Sequence, residues 1–348
     1  MQGVSLSRAV LFLLFLFLLF SGLYYAKSFL IPIAFAALLS MLLLPVAEWL
    51  EKKGMGKVIS IILAILVIVL FFAGVIWLIS WQLSDIMKDS ESINQNLTKK
   101  VTELRNYISS SLGISNPKQE EVMAKQQSEA GGSGIAGKIL SGLGGFVTNL
   151  LLVLIYIFLF MFFRTHLKKF ILQLVPKTDI PKTEEVITKC RTIAQKYITG
   201  LGMMIVCLWV MYGIGFSIAG VKSPILFAVL CGVLEIIPFV GNLAGTTITL
   251  LMTIAQGGGT NVIIGILITY ALVQFIQSYI IEPLVVGAEV NINPLITIMG
   301  IVLGELVWGI PGMILAVPFL GIIKIICDNV QGLKPYGFVL GQEKEKKK

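Results

Sequence analysis

Two carboxylates stand where carboxylates are expensive. Glu235 lies in the apolar stretch Ser223–Gln256 and Glu305 in Pro294–Cys327, each stretch 34 residues long. A charge at the centre of a bilayer costs at least about 2.5 kcal/mol, so an acid in such a place predicts a role that repays it. The chemistry on offer is proton or cation coupling, because a desolvated carboxyl can hold a proton in one state and release it in another. The alternative is structural, with each acid bonded to a backbone amide or a lysine. Glu282, before Pro283 at the end of the run Asn261–Ile281, is a third coupling candidate. Gln274, Gln277 and Ser278 share one side of that run and predict a polar path, or equally a set of helix–helix hydrogen bonds. Asn242 is the polar residue beside the first break and joins the path candidates.

The elements that must position these groups are broken helices. Each 34-residue stretch is too long for one span and is interrupted near its middle, at Pro238-Phe-Val-Gly241-Asn242 and at Gly309-Ile-Pro311-Gly312. Proline removes a backbone donor and clashes with the preceding turn. In lipid such a break survives only where protein or water satisfies the freed groups. Gly241-xxx-Gly245 and Gly300-xxx-Gly304 supply small residues for close helix contact. Paired interrupted segments point to a solute or ion site near the midplane. Two geometries fit each stretch: a re-entrant hairpin of two short helices, or one long kinked span. Asn291, Asn293 and Pro294 predict a turn ahead of the second stretch.

Composition supports this setting. Of 348 residues 56% are hydrophobic and 13% charged, against about 25% charged in a soluble domain. Ala9–Ala47 holds one charge, Lys27, while Val58–Ser84, Leu143–Phe163 and Tyr197–Val221 hold none. Roughly 20 apolar residues cross a bilayer. The prediction is an all-α, polytopic integral membrane protein with about eight transmembrane segments, two of them broken or re-entrant. The organisation expected is 1–84, an N-terminal hairpin turning at Ser21–Lys27 plus a third span; 85–142, an extracytoplasmic helical segment and Gly-rich linker; 143–163, a span; 164–196, a basic cytoplasmic segment with an interfacial helix at Thr183–Lys196; 197–327, the core with the broken stretches 223–256 and 294–327; and 328–348, a basic tail.

The net charge of +8 is explained by topology. Lys52, Lys53 and Lys57, eight basic residues against three acids in Arg164–Lys196, and the Lys344–Lys348 tail mark the cytoplasmic side. Asp85–Lys138 balances seven basics with seven acids and fits outside. Both termini are then cytoplasmic, in the cell membrane, and nucleic acid is not an expected partner; membrane lipid is. Ile93, Leu97, Val101, Leu104, Ile108 and Leu112 form a helical stripe that packs on its own chain or between subunits, and a homo-oligomer is expected. Glu129–Gly137 reads as a flexible linker.

Several chemistries are excluded. Gly132-Ser-Gly-Ile-Ala-Gly137-Lys138 matches seven positions of a phosphate-binding loop, but Ile139 has no hydroxyl for Mg²⁺ and no strand precedes it. Cys190, Cys207, Cys231 and Cys327 form no zinc pattern, and His166 is the only histidine, placed at a helix end as an interface residue. No enzyme, no metal and no cofactor is predicted.

In Tyr197-Ile-Thr-Gly200, Glu235-Ile-Ile-Pro238-Phe-Val-Gly241, Glu282-Pro283-Leu-Val-Val-Gly287, Asn293-Pro294-Leu295 and Gly304-Glu-Leu-Val-Trp-Gly309-Ile-Pro-Gly312-Met-Ile-Leu-Ala-Val-Pro318, the chain resembles the autoinducer-2 exporter family of permease-type membrane proteins. The resemblance implies a prokaryotic cytoplasmic-membrane transporter. The family name refers to export of a furanose-derived signal, while some relatives look like Na⁺(Li⁺)/H⁺ antiporters. Small polar solute and monovalent cation with proton therefore both stand as transported partners, beside an oligomeric scaffold or pore.

Overall fold

A computed structural model describes residues 6–88, 102, 132–238, 240–282 and 292–342. Within them the chain is helical and forms no strand; one isolated bridge joins Ile292 and Gly341. The apolar stripe from Ile93 to Leu112, and Asn291 with the rest of 283–291, lie outside the described residues.

The helices are α1 (Leu6–Tyr25), α2 (Lys27–Lys52), α3 (Lys57–Lys88), α4 (Gly132–Phe162), α5 (Arg164–Gln173), α6 (Ile180–Ala219), α7 (Pro224–Leu234), α8 (Gly241–Ala255), α9 (Thr260–Ile276), α10 (Pro294–Trp308), α11 (Ile310–Asn329) and α12 (Lys334–Leu340). Among the described residues, five stretches are long and apolar enough to cross a membrane: α2, α3, the run ending in α6, α9 with the turn that follows it, and α11. The pair α4–α5, bent by 63°, makes a sixth if taken as one span. The apolar parts of α1, α7, α8 and α10 are shorter. At about 1.5 Å per residue, α7 is about 16 Å long and cannot cross a hydrocarbon core of about 30 Å.

Three local expectations need correcting. The joint expected over Ser21–Lys27 is shorter than that: the chain stays helical up to Tyr25 and resumes at Lys27, with one non-helical residue, Ala26 (φ −85°, ψ 7°). Ala26 N–H still donates to Gly22 O (2.9 Å) and Ala26 O accepts from Leu30 N–H (2.9 Å), so the ladder runs through the joint. Gly132–Gly137 is not a linker but the first turns of α4; the apolar run behind it propagates helix through the glycines, each costing only about 1 kcal/mol. Thr183–Lys196 is not a separate interfacial helix but part of the 40-residue α6.

The chain forms two compact units. Unit 1 comprises Met1–Val67, Leu150–Gly202 and Pro283–Lys348. Its core gathers Ala34, Leu38, Ala194 and Leu315, with Phe35, Met41, Ile198, Trp308, Phe319 and Ile322 around them. Pro45 inside α2 has no N–H to offer Met41 O, and Gln195 Nε2 of α6 donates to that carbonyl instead, at 2.5 Å. One end of the unit is tied by charge. Arg164 meets Glu51 at 2.5 Å, Arg191 meets Glu48 through both nitrogens (3.0 and 3.2 Å), and Lys57 Nζ donates to Phe162 O at 2.6 Å. The basic loop after α2 and the α4–α5 joint thus share one end.

The second broken stretch also belongs to unit 1 and is an antiparallel hairpin. Gly309 makes the reversal with φ +65°, a conformation glycine adopts without penalty. A Cβ on Gly304 would lie 2.4 Å from Gly312 O, and one on Gly300 would lie 2.5 Å from Leu320. Asn293 Oδ1 caps α10 by accepting from Leu295 N–H at 3.0 Å. Asn293 N–H donates to Leu340 O at 2.9 Å, and Gln342 Nε2 to Ile292 O at 3.1 Å. The chain therefore enters and leaves this hairpin on the same side. Of the two geometries open to the sequence, the kinked single span does not describe it.

Unit 2 comprises Ile68–Asn149 and Met203–Glu282. The first broken stretch lies here and is also a hairpin: α7 and α8 fold back on each other around the break that follows Glu235. A Cβ on Gly245 would lie 2.8 Å from Cys231 Cα, and one on Gly241 would meet the Leu234 carbonyl. Trp209 of α6 lies across Gly232, where a Cβ would come within 2.3 Å of its ring, and its Nε1–H donates to Val229 O at 3.2 Å.

Candidate functional site

The site is built in unit 2, where the break of the α7–α8 hairpin meets the end of α9. Glu235 is the first residue after α7, its N–H still bonded to Cys231 O at 3.1 Å. The chain turns through Ile236–Pro238 and re-enters helix at Gly241, which puts Asn242 in the first turn of α8. After Ile276 the helix widens into a single π turn, Gln277–Ile281. Such turns are rare and concentrate at functional sites. Gln277, the first residue of that turn, is buried.

These elements bring one polar chain together. Gln277 Nε2 donates to Glu235 Oε1 at 2.6 Å. Gln277 Oε1 accepts from Asn242 Nδ2 at 3.2 Å. Asn242 Nδ2 also donates to Gln274 Oε1, and Gln274 Nε2 to Ser278 Oγ at 3.1 Å. Tyr212 of α6 closes the chain, its hydroxyl donating to Asn242 Oδ1. Asn242 and Gln277 are buried, and Glu235 and Gln274 half-buried. Buried polar groups require such partners. Met204 Sδ lies 4.0 Å from Gln277 Nε2. Further along α8, the buried Thr246, Thr249 and Thr253 continue one face, with Thr249 Oγ1 donating to Gly245 O at 2.8 Å.

Of the residues singled out from sequence, Glu235, Asn242, Gln274 and Gln277 meet. Pro238 and Gly241 bound the break that lets them meet. Glu282 follows the π turn and is exposed. Glu305 belongs to unit 1, where no described part of the protein covers it on α10; of the two acids, Glu235 is the one enclosed by protein. Gly309 is the hairpin reversal, and Pro311 and Gly312 start α11. There the indole of Trp308 donates to Leu23 O at 3.0 Å, a carbonyl close to the α1–α2 joint. Tyr212 is a site residue that the sequence alone does not single out. Among the described residues no three His, Cys, Asp or Glu side chains converge on a metal position, and all four cysteines are free thiols.

Chemically, the set offers one carboxylate, three amides, a phenol and a row of hydroxyls, with no cationic side chain among them. It can hydrogen-bond a neutral hydroxylated molecule or surround a small cation with oxygens. It has nothing to neutralise an anion.

Apolar helices and hairpins folded at proline and glycine breaks define a polytopic α-helical membrane protein. The chain belongs to the AI-2E transporter family, whose model matches residues 12–332. It is 26% identical over 310 residues to "Putative transport protein YrrI" of Bacillus subtilis (strain 168), covering 86% of each chain. "Putative transport protein YueF" of the same organism is 26% identical over 319 residues, 86% of this chain and 83% of the relative. "Putative transport protein YhhT" of Escherichia coli (strain K12) is 18% identical over 335 residues, covering 95% and 93%.

Proposed function

We propose that this protein is a gradient-driven secondary transporter that exports a small polar solute, an autoinducer-2-like furanose being the kind of molecule the family name suggests. The observation that carries the reading is the chain Tyr212–Asn242–Gln277–Glu235 at the break of the α7–α8 hairpin. A hydroxylated solute can exchange its own donors and acceptors for those of the amides. Glu235, the enclosed carboxyl, supplies proton or sodium coupling. Glu282 and Glu305 are secondary coupling candidates at more open positions. On this reading the chain sits in the cytoplasmic membrane, with both termini and the basic loops inside, as a homo-oligomer without enzymatic activity.

A second reading is supported by the same donor set. One carboxylate with three amide carbonyls suits a monovalent cation, so Na⁺(Li⁺)/H⁺ antiport through Glu235 is the alternative. Purified protein in liposomes, loaded with labelled furanose or with a pH-sensitive dye and an imposed Na⁺ gradient, separates the two. Solute flux lost in Glu235→Gln supports export. Na⁺-driven proton movement lost in the same variant supports antiport. Neither flux, from protein that remains folded, leaves an oligomeric scaffold or pore.

A further inference from the structure

α5 carries an apolar stripe that no other part of the described chain covers. Leu167, Phe170, Ile171 and Leu174 recur at steps of 3, 1 and 3, one face of a helix, and are 40%, 55%, 42% and 68% exposed. The helix leaves the apolar part of α4 at an angle of 63°. Transmembrane helices tilt by about 20° on average, so α5 runs closer to the membrane plane than to its normal. The joint is fixed on both sides, by Lys57 on Phe162 O and by Arg164 on Glu51.

Charge identifies what covers the stripe. From Arg164 to Lys182 the chain carries five basic residues, Arg164, Lys168, Lys169, Lys177 and Lys182, against one acid, Asp179. Glu51 takes up Arg164, Glu184 takes up Lys168 at 2.7 Å and Lys182 acts on Glu185, which leaves the basic surplus on Lys169 and Lys177, with Asp179 the one further acid in the segment. A second copy of this chain would present the same positive face and repel it. An apolar stripe edged with lysines at the end of a membrane helix suits an anionic lipid surface.

We propose that α5 is a docking surface for anionic phospholipid. It lies in the headgroup layer of the leaflet where α4 ends, its stripe at the acyl boundary and Lys169, with Lys177 just beyond the helix, on lipid phosphates. Lipid composition then bears on the α4–α5 joint and on Glu51 and Lys57, which hold it. Nothing in this inference depends on the transported substrate.

The test uses the full chain in nanodiscs of phosphatidylcholine and phosphatidylglycerol, with a diazirine-bearing probe of either lipid. Cross-links are located by peptide mass spectrometry. The phosphatidylglycerol probe should label Arg164–Lys177 in preference to the phosphatidylcholine probe. Lys169→Gln should lower that preference about fivefold, and Lys169→Gln/Lys177→Gln further. About 1 M salt should abolish it in the unmodified protein, where no substitution can disturb folding. Phe170→Ser should lower labelling by both probes. Equal labelling by the two probes, a preference that ignores salt and lysines, or no cross-link within the segment would overturn the proposal.

Discussion

Gln277 and Glu235 are joined by a 2.6 Å hydrogen bond that crosses from the π turn after α9 to the break after α7. Gln277 has one carbonyl and one amino group, and both are engaged, the first by Asn242 and the second by the carboxylate. A shift of any one member therefore obliges the others to move, which makes the chain a candidate for a switch between two arrangements.

Replacing Gln277 with Leu removes both bonds and takes from Glu235 the amide that faces it. Hydrogen bonds to charged groups contribute about 1.5–3 kcal/mol, whereas side-chain bonds between membrane helices average about 0.6 kcal/mol. The half-enclosed carboxyl acceptor favours the larger range, so liposome flux of the transported species should fall about tenfold. Asn242→Leu should act in the same direction. Unaltered flux from folded Gln277→Leu protein would remove the polar chain from the mechanism.

The α10–α11 hairpin depends on two glycines in backbone contact. Gly304→Ala places a methyl carbon 2.4 Å from the Gly312 carbonyl, and neither backbone can yield without separating the helices. Overpacking of this kind costs about 1–3 kcal/mol. The melting midpoint in detergent should drop clearly for Gly304→Ala and for Gly312→Ala. Gly22→Ala is the control, since nothing lies within 4 Å of the added carbon, and it should leave the midpoint unchanged or slightly higher. Equal midpoints for all three variants would contradict the close crossing.

The first break and most of the polar chain are readable from sequence because proline, glycine and lone polar residues stand out against an apolar run; whether the break makes a hairpin or a kink is not. Pro238 and Gly241 announce a break, and Gln274 and Gln277 recur on one helical side. Glu305 shows the limit: in a helix apolar all round, periodicity carries no information about which face is covered, and α10 leaves this acid exposed. Tyr212 is hidden because a tyrosine in a charge-free run resembles an interfacial aromatic until its partner is known. The π turn is equally hidden, since one extra residue per turn leaves no compositional trace. The α4–α5 bend at Phe163 has neither proline nor glycine to signal it; Lys57 and Glu51, more than a hundred positions away, hold it.

The ion pair of Arg191 with Glu48 looks strong by geometry, with both guanidinium nitrogens engaged. Both side chains are about one-third exposed, 31% and 37%, so solvent screens them and the pair should contribute no more than about 1 kcal/mol. Arg191→Gln is expected to lower the melting midpoint slightly in low salt and not at all near 1 M salt, where screening acts within about 3 Å. A large loss that persists in high salt would mean that the arginine stem packs the α2–α6 contact and that charge is secondary.

Met41, Pro45 and Gln195 form a compensated defect that a double-mutant cycle can measure. Pro45 deprives Met41 O of its helical donor, and Gln195 restores one from α6 at 2.5 Å. Gln195→Leu should leave that part-buried carbonyl unpaired, at about 1–3 kcal/mol. Pro45→Ala supplies the missing N–H from within α2, so in its presence Gln195→Leu should cost much less. The coupling between the two positions, read from unfolding midpoints of the four proteins, should be at least about 1 kcal/mol and of the sign that makes the double variant more stable than the sum of the singles. Additive effects would show that Gln195 acts through packing alone and that the carbonyl finds another donor, such as water entering along the proline kink.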